Sequence, residues 1–264
     1  MFTIDKYVIA ESLAQAYELN QSKRNAILGG MLWLKMGRKK IGTAIDLTSL
    51  GLNLIEEDED SFKIGCMCTL RDLETSSSLN IYFNNLFSNS VEHIVGVQMR
   101  NMATVGGSIY SRFGFSDVLT ALLSLDSYVE LFKGGIVPLN KYADMPLDND
   151  ILIKIIIKKD GRKINYLSHR MSSTDLPVLT CAVSNAAEKW NVVIGARPGK
   201  AVLTQFSLSE NPKKEDIDSI VSHILDNTIF GTNCRGSEKY RKILADVLVR
   251  RNIEEIIKGG KYAN

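Results

Sequence analysis

Residues 103–117 read ATVGGSIYSRFGFSD. Two adjacent glycines, Gly106 and Gly107, follow a short apolar run, and Asp117 comes ten residues after the second of them. A similar doublet ends the run AILGG at residues 26–30. Glycine permits positive φ and lets another group approach the backbone, and the N–H groups exposed at such a turn can hold a pyrophosphate without a cationic side chain. The structural alternative is two ordinary tight turns.

The composition is that of a globular protein with no strong electrostatic preference. The chain has 264 residues, enough for one large or two modest domains, and 45% of them are hydrophobic. Lys and Arg exceed Asp and Glu by only two and are scattered, so the charge argues neither for nor against a nucleic-acid partner, and we expect none. No apolar run has the length of a membrane span, the first residues lack the form of a signal peptide, and four cysteines suit reduced thiols. We therefore expect a cytoplasmic protein that does not bind membranes.

Hydrophobic periodicity predicts an α+β protein, because strands mingle with helices without a regular βαβ repeat. An Asp-Gly pair in KKDGRK, residues 158–163, predicts a hairpin between the strands on either side. Helices are expected at 10–18, 84–95, 118–126, 213–225 and 237–258, and strands at 26–28, 43–47, 62–68, 128–132, 151–157, 164–167 and 192–194.

Most familiar catalytic patterns are absent from the sequence. The three histidines lie at no ligand spacing from a cysteine or from one another. Cys66 and Cys68 are expected on one face of a strand, but no second pair completes a zinc or iron–sulfur site, so buried thiols are predicted. Neither a P-loop, a G-x-G-x-x-G nor a G-x-S-x-G motif is present. We therefore predict no metal site and no catalytic side chain.

The longer stretch around the second doublet, residues 98–129, reads QMRNMATVGGSIYSRFGFSDVLTALLSLDSYV. Without a gap it resembles the pattern Q-x-R-N-x-A-T-x-G-G-N-I-x-x-x-x-P-x-x-D-x-x-x-x-L-L-A-L-D-A-x-V of FAD-binding (medium) subunits in the molybdenum hydroxylase family, the xanthine dehydrogenase and carbon monoxide dehydrogenase type. Further segments are similar to that family in the same order: AILGG (26–30), AIDL (44–47), KIGCMCTLRDLE (63–74), HRMSSTDLPVLTCAVS (169–184) and CRGSEKYRKILADVLVRR (234–251).

The resemblance implies a two-lobed FAD-binding domain followed by a smaller α+β C-terminal domain. The first would occupy residues 1–157, with lobes of about 1–55 and 56–157, and the second residues 158–264. The positions that match the family's cofactor-binding residues are Ile27, Leu28, Gly29, Gly30, Met31, Leu32, Trp33, Ala103, Thr104, Gly106, Gly107, Ser108, Asp117 and Leu176.

The resemblance also assigns a role to each group. Residues 27–33 and 104–108 would hold the pyrophosphate and ribitol through backbone N–H groups, with side-chain hydrogen bonds from Thr104 and Ser108. Asp117 would bind a sugar hydroxyl of the adenosine half, and Leu176 would lie near the isoalloxazine. The chain departs from the family pattern in three places. Met31–Trp33 stands where the family usually has a small polar residue, often Thr, followed by Asp and Leu; Ser108 replaces Asn; and Arg112–Phe115 replaces a Ser/Pro segment.

As a member of this family, the chain would be an electron-transfer subunit. Its partners would be a molybdopterin-binding large subunit and a [2Fe-2S] small subunit, and the electrons would pass to NAD or another acceptor. Two alternatives stay open. One is a stand-alone flavoenzyme with the same domain, such as an oxidase or a cell-wall precursor reductase; the other is a scaffold that has lost the flavin, as the departures at positions 31–33 and 113–115 suggest.

Overall fold

A computed structural model describes residues 2–259 of the chain. Twelve strands lie within this range: Thr3–Ile9 (β1), Ala26–Leu28 (β2), Lys40–Asp46 (β3), Ile55–Glu57 (β4), Ser61–Gly65 (β5), Ser127–Leu131 (β6), Gly135–Pro138 (β7), Leu152–Lys158 (β8), Lys163–His169 (β9), Leu179–Ala186 (β10), Lys189–Gly195 (β11) and Val202–Ser207 (β12).

Eleven α-helices lie in the same range, together with a 3₁₀ turn at Thr48–Leu50. The helices are Leu13–Asn20 (α1), Leu32–Met36 (α2), Leu70–Thr75 (α3), Ser77–Tyr82 (α4), Leu86–Val91 (α5), Val97–Arg100 (α6), Val105–Tyr110 (α7), Asp117–Leu123 (α8), Leu139–Asp144 (α9), Lys214–Asn227 (α10) and Glu238–Ile257 (α11). The mixture of helices and sheets confirms the predicted α+β class.

The chain forms two compact units, each assembled from three segments. The described residues of the first unit are 2–72, 97–111 and 127–158, and those of the second are 73–96, 112–126 and 159–259. The domains expected from the sequence, 1–157 and 158–264, stay a prediction.

The first unit contains two sheets. One is parallel, in the order β1-β3-β2, with Leu28 opposite Asp46. The other is antiparallel, in the order β4-β5-β8-β6-β7. Its central strand β8 is buried on both faces apart from its lysines, and Phe62 of β5 lies opposite Ile157. Such a central strand must be almost continuously apolar, as LIKIIIK is.

The second unit is built on the antiparallel sheet β12-β11-β10-β9. One face is apolar: Trp190, Val192 and Cys181 pack in one core with residues of α10 and α11. The residues that alternate with them are largely polar and meet α8, where Thr120 and Thr180 share a hydrogen bond of 3.1 Å and Asn191 Nδ2 donates to the Ser124 carbonyl at 3.1 Å. Successive side chains of a strand point to opposite faces of the sheet, so α10 and α11 pack on one face and α8 on the other.

The structure corrects the predicted hairpin at residues 158–163. Strand β8 pairs with β5 and β6, whereas β9 pairs with β10, so the connection between them joins two different sheets. The predicted strand at 62–68 ends at Gly65, and the N–H of Cys66 turns to the carbonyl of Ile153 at 2.9 Å. Strand β1 and helix α7 were not predicted. In the part of the chain that is described, no helix has both the length and the apolarity to cross a bilayer.

Candidate cofactor site

The two glycine doublets meet in the first unit. A side-chain carbon added at Gly30 would lie 1.8 Å from the carbonyl oxygen of Met102, and one at Gly29 would lie 2.7 Å from Thr104 Oγ1. Both distances are shorter than any real contact of a Cβ atom, so no larger residue fits at either position without movement. The first doublet is therefore packed directly against residues 102–104.

The second doublet is hydrogen-bonded to the segment that follows β5. Backbone N–H groups of Val105 and Gly106 donate to the carbonyls of Cys68 and Cys66, both at 2.8 Å. The N–H of Leu70 donates to Ala103 at 2.8 Å. A side-chain carbon at Gly106 would lie 2.6 Å from the Cys66 carbonyl oxygen. The KIGCMCTLRDLE segment thus fixes the position of the second doublet.

Neither doublet uses the left-handed backbone region that glycine alone adopts easily. Of the two explanations that the sequence allows, positive φ does not apply to these glycines, whereas close approach does. Backbone carbonyls lie against Gly30 and Gly106, and the Thr104 side chain lies against Gly29. The second doublet is not a tight turn either, because it lies in the first turn of α7. Thr104 caps that helix by accepting the N–H of Gly107 at 3.2 Å, while the Ser108 hydroxyl donates to the Thr104 carbonyl at 3.1 Å.

Gly107 differs from the other three doublet glycines. A side-chain carbon there would have one neighbour within 4 Å, Thr104 Oγ1 at 3.0 Å. Together with Gly29 and Gly106, Gly107 lines a pocket of about 360 Å³ in the first unit. Cofactor pockets commonly measure about 300 to 1,000 Å³.

Six sequence-predicted residues line this pocket: Ile27, Leu28, Gly29, Thr104, Gly106 and Gly107. Sequence reasoning missed several others, namely Lys23, Lys39, Cys66, Tyr110, Asn149 and Asp150. The two lysines bring positive charge to a site for which none was expected. The only sequence signal for Lys23 was its place in the polar turn before β2, and residues 149–150 reach the pocket through tertiary folding alone.

Residues 31–33, where the sequence departs from the family, do not line the pocket. Met31 has φ of 60°, in the left-handed region, and its side chain packs on the small apolar cluster of Leu28, Ile41 and Ala44. Leu32 begins helix α2 and is half-buried, while Trp33 is 47% exposed. The Met side chain thus serves local packing, which a small polar residue would not provide.

Asp117 lies in the second unit and is only 4% exposed. Its Oδ1 accepts hydrogen bonds from the Tyr166 hydroxyl at 2.5 Å and from Arg170 Nη2 at 2.6 Å. Burial raises the pKa of the Asp117 carboxyl, although the Arg170 charge acts in the opposite direction. One carboxylate oxygen is therefore already bound within the unit, and the sugar-binding role of Asp117 stays a prediction.

Leu176 lines a second pocket, of about 330 Å³, in the second unit. The walls also include Phe115, Lys200 and Arg235. Asp175 fixes the loop before Leu176 by accepting the Leu176 N–H at 2.7 Å and pairing with Arg235 at 3.1 Å. Hydrogen bonding from Arg235 lowers the pKa of the Asp175 carboxyl.

The cysteines confirm the prediction of buried thiols. Cys66, Cys68 and Cys181 are buried, and Cys234 is exposed. Burial raises the pKa of Cys66 and of Cys181 to about 12. These thiols are therefore protonated and poor nucleophiles at neutral pH.

The pocket of the first unit suits the pyrophosphate of the dinucleotide that the resemblance implies. A pyrophosphate is anionic and accepts hydrogen bonds, and the wall offers two lysines, the Thr104 hydroxyl and the bare backbone of Gly107. A Cβ at Gly107 would take up part of that space.

Comparisons with known proteins agree with a cofactor-binding site in this part of the chain. Residues 2–159 match the family described as the FAD binding domain in molybdopterin dehydrogenase. The chain is 25% identical over 256 residues to the uncharacterised protein YgfM of Escherichia coli K12, covering 93% of this chain and 94% of that protein.

Solved structures share the fold. A chain of reconstituted CO dehydrogenase from Oligotropha carboxidovorans superposes with a TM-score of 0.85 at 20% identity, and a chain of quinoline 2-oxidoreductase from Pseudomonas putida 86 with 0.83 at 16%. In both cases the match covers 97% of this chain and 98% of the other.

Proposed function

This chain belongs to the family of FAD-binding domains of molybdopterin dehydrogenases and binds FAD, and from that premise we propose that it is the electron-transfer flavoprotein subunit of a molybdenum-containing hydroxylase complex. The observation that carries the proposal is the bare face of Gly107 on a pocket whose wall also holds Thr104, Lys23 and Lys39.

The residues of the first unit hold the pyrophosphate end of the cofactor in this proposal. Of the segments 27–33 and 104–108 that are expected to contact it, residues 27–29, Thr104, Gly106 and Gly107 line the pocket. The N–H groups of Val105, Gly106 and Gly107 already donate within the chain, so the second doublet offers close approach to its backbone rather than free N–H donors. The Thr104 hydroxyl accepts the Gly107 N–H, so its own proton is available for a phosphate oxygen. Lys23 and Lys39 offset the phosphate charge, an interaction that weakens as salt rises.

Two further residues to which the resemblance gives a cofactor-binding role, Asp117 and Leu176, belong to the second unit. In this proposal the Asp117 carboxylate accepts a sugar hydroxyl, while Arg170 and Tyr166 hold it in place. Leu176 gives an apolar contact to the isoalloxazine. Bound FAD supplies the redox chemistry, and these side chains position it rather than exchange protons with it.

The proposed partners are a large molybdopterin-binding subunit and a small [2Fe-2S] subunit, as in an enzyme of the xanthine dehydrogenase or CO dehydrogenase type. The complex would pass its electrons to NAD or another acceptor. Support comes from the likeness to CO dehydrogenase and quinoline 2-oxidoreductase chains over nearly the whole length.

Two measurements test the proposal. The purified chain should show a flavin spectrum or take up added FAD with a rise in melting temperature, because a ligand that binds only the folded state stabilises it. A colourless chain that takes up no FAD would overturn flavin binding. Affinity purification from the native host should bring down subunits that contain molybdopterin and iron–sulfur clusters; a flavin-loaded chain isolated alone would instead favour a stand-alone flavoenzyme.

A further inference from the structure

We propose that residues 145–150 form a strap over the pocket of the first unit, held shut by Tyr110 and Asn20, and that FAD enters and leaves when these two latches release. The proposal rests on the FAD-binding function given above. It concerns how fast the cofactor exchanges, which is separate from whether it binds.

The strap connects α9, which ends at Asp144, to β8, which begins at Leu152. Its last two residues, Asn149 and Asp150, line the pocket together with Gly107. Most of the strap is exposed, and the Leu147 side chain is 62% exposed. Hydrophobic burial therefore contributes little to holding this segment in place.

The first latch ties the strap to the helix that carries the second glycine doublet. The Tyr110 hydroxyl donates to the carbonyl of Asp148 at 2.8 Å. Tyr110 is the last residue of α7, three positions after Gly107, and itself lines the pocket. The strap thus closes on the same helix that presents the bare glycine.

The second latch comes from the end of α1. Asn20 Nδ2 donates to the carbonyl of Asn149 at 2.8 Å, and Gln21 Nε2 donates to the same oxygen at 3.2 Å. Asn20 also lines the pocket. Both latches are therefore half-buried side chains whose exposed hydrogen bonds hold backbone carbonyls of the strap on the border of the pocket.

The end of the strap next to β8 is fixed more firmly. The Asp150 carboxylate accepts the backbone N–H groups of Lys133 and Gly134, the latter at 2.8 Å, as well as that of Ile151 at 2.7 Å. Charge-assisted bonds of this kind are stronger than neutral ones. The segment therefore has an anchored end at Asp150 and a releasable part at residues 148–149.

A latch of this kind has a kinetic signature that a direct contact lacks. If FAD passes only while the strap is open, a larger open fraction raises the association and dissociation rate constants by the same factor and leaves Kd unchanged. Loss of a direct contact raises the dissociation rate constant and Kd together. Loss of one neutral hydrogen bond changes such an equilibrium by about threefold to tenfold.

The experiment compares Tyr110→Phe with the unaltered chain and with Tyr7→Phe. Tyr7 also bonds through its hydroxyl, to Asp46 in the same unit, and lies outside the pocket. Stopped-flow measurement of flavin fluorescence should show both rate constants for FAD raised about threefold to tenfold in Tyr110→Phe, with Kd changed less than about twofold, and no change in Tyr7→Phe. Asn20→Ala should act in the same direction as Tyr110→Phe.

A measurement without FAD keeps the two proposals apart. Thermolysin cleavage before Leu147 should be about threefold to tenfold faster in Tyr110→Phe than in the unaltered chain or Tyr7→Phe, because cleavage follows the open population. A rise of the dissociation rate constant alone, or unchanged rates and unchanged cleavage, would overturn the strap. Absence of any FAD binding to the unaltered chain would overturn the proposed function, while the cleavage comparison would still decide whether Tyr110 latches the segment.

Discussion

The carbonyl oxygen of Met102 lies against Gly30, 1.8 Å from where a side-chain carbon at that position would stand. Since that oxygen belongs to the backbone, a methyl group at position 30 must displace the chain next to the second doublet. We expect Gly30→Ala to lower the free energy of unfolding of FAD-free protein by about 3 kcal/mol, the upper part of the range for overpacking. Urea denaturation checks this, and a loss below about 1 kcal/mol would show that the two segments separate easily.

Gly107→Ala should separate folding from cofactor binding. Its methyl group would touch only Thr104 Oγ1, and alanine favours a helix over glycine by about 1 kcal/mol, so stability should change by no more than about 1 kcal/mol. The same methyl group would intrude on the pocket, and we expect FAD affinity, measured by calorimetric titration, to fall at least about tenfold, or ~1.4 kcal/mol. Unchanged affinity would place the cofactor away from Gly107.

The buried thiols should make the protein less stable in alkali. The pKa of Cys181 is raised to about 12 by burial, whereas an unfolded cysteine has a pKa of about 8.5. Below about pH 8.5 both states keep the proton; above it the unfolded chain ionises first and is favoured. Each buried thiol of this kind therefore lowers the free energy of unfolding by about 1.4 kcal/mol per pH unit, until the pH reaches the pKa of that thiol in the folded protein.

The control for this pH effect is Cys181→Ala, which leaves every other titrating group in place. Between about pH 9 and about pH 10 its unfolding free energy should fall about 1.4 kcal/mol less than that of the unaltered chain. If the unfolding free energies of the two proteins fell in parallel as pH rises, Cys181 would ionise while the protein is folded.

The Asp117 cluster should contribute to folding even without FAD. Removing Arg170 leaves a buried carboxylate without its charge partner, so Arg170→Met should cost about 3 to 5 kcal/mol. Tyr166→Phe removes one hydrogen bond to a charged group and should cost about 1.5 to 3 kcal/mol. Chemical denaturation of FAD-free protein measures both. If neither variant lost stability while both lost FAD affinity, the cluster would serve the cofactor alone.

Local signals predicted local structure well. The predicted helices at 213–225 and 237–258 agree closely with α10 and α11, because their apolar spacing is regular and Ser237 provides an N-cap for the second. The two glycine doublets were also identified as candidate binding segments, because glycine pairs after apolar runs can be recognised in the sequence without knowledge of the tertiary structure. The reason for these glycines was not visible, because Met102 and Cys66 reach them only in the folded chain.

The errors have the same physical origin. An Asp-Gly turn indicates a change of chain direction but carries no information about which sheet the next strand joins. A hairpin was therefore predicted, although β8 and β9 belong to different sheets. Several pocket residues come from segments far from Gly107 in sequence, such as Lys39 and 149–150. Nothing in the composition of those segments marks them as part of a binding site.

The assembly of each unit from three segments has a consequence for how the protein can be divided. The polypeptide passes from one unit to the other after Asp72, Gly96, Ser111, Asp126 and Lys158. A fragment cut at Lys158 would keep α8 but lose β10 and β11, whose polar face that helix covers. No single cut yields two pieces that each hold one complete unit and nothing of the other, so neither unit can be produced as an uninterrupted fragment free of the other's residues.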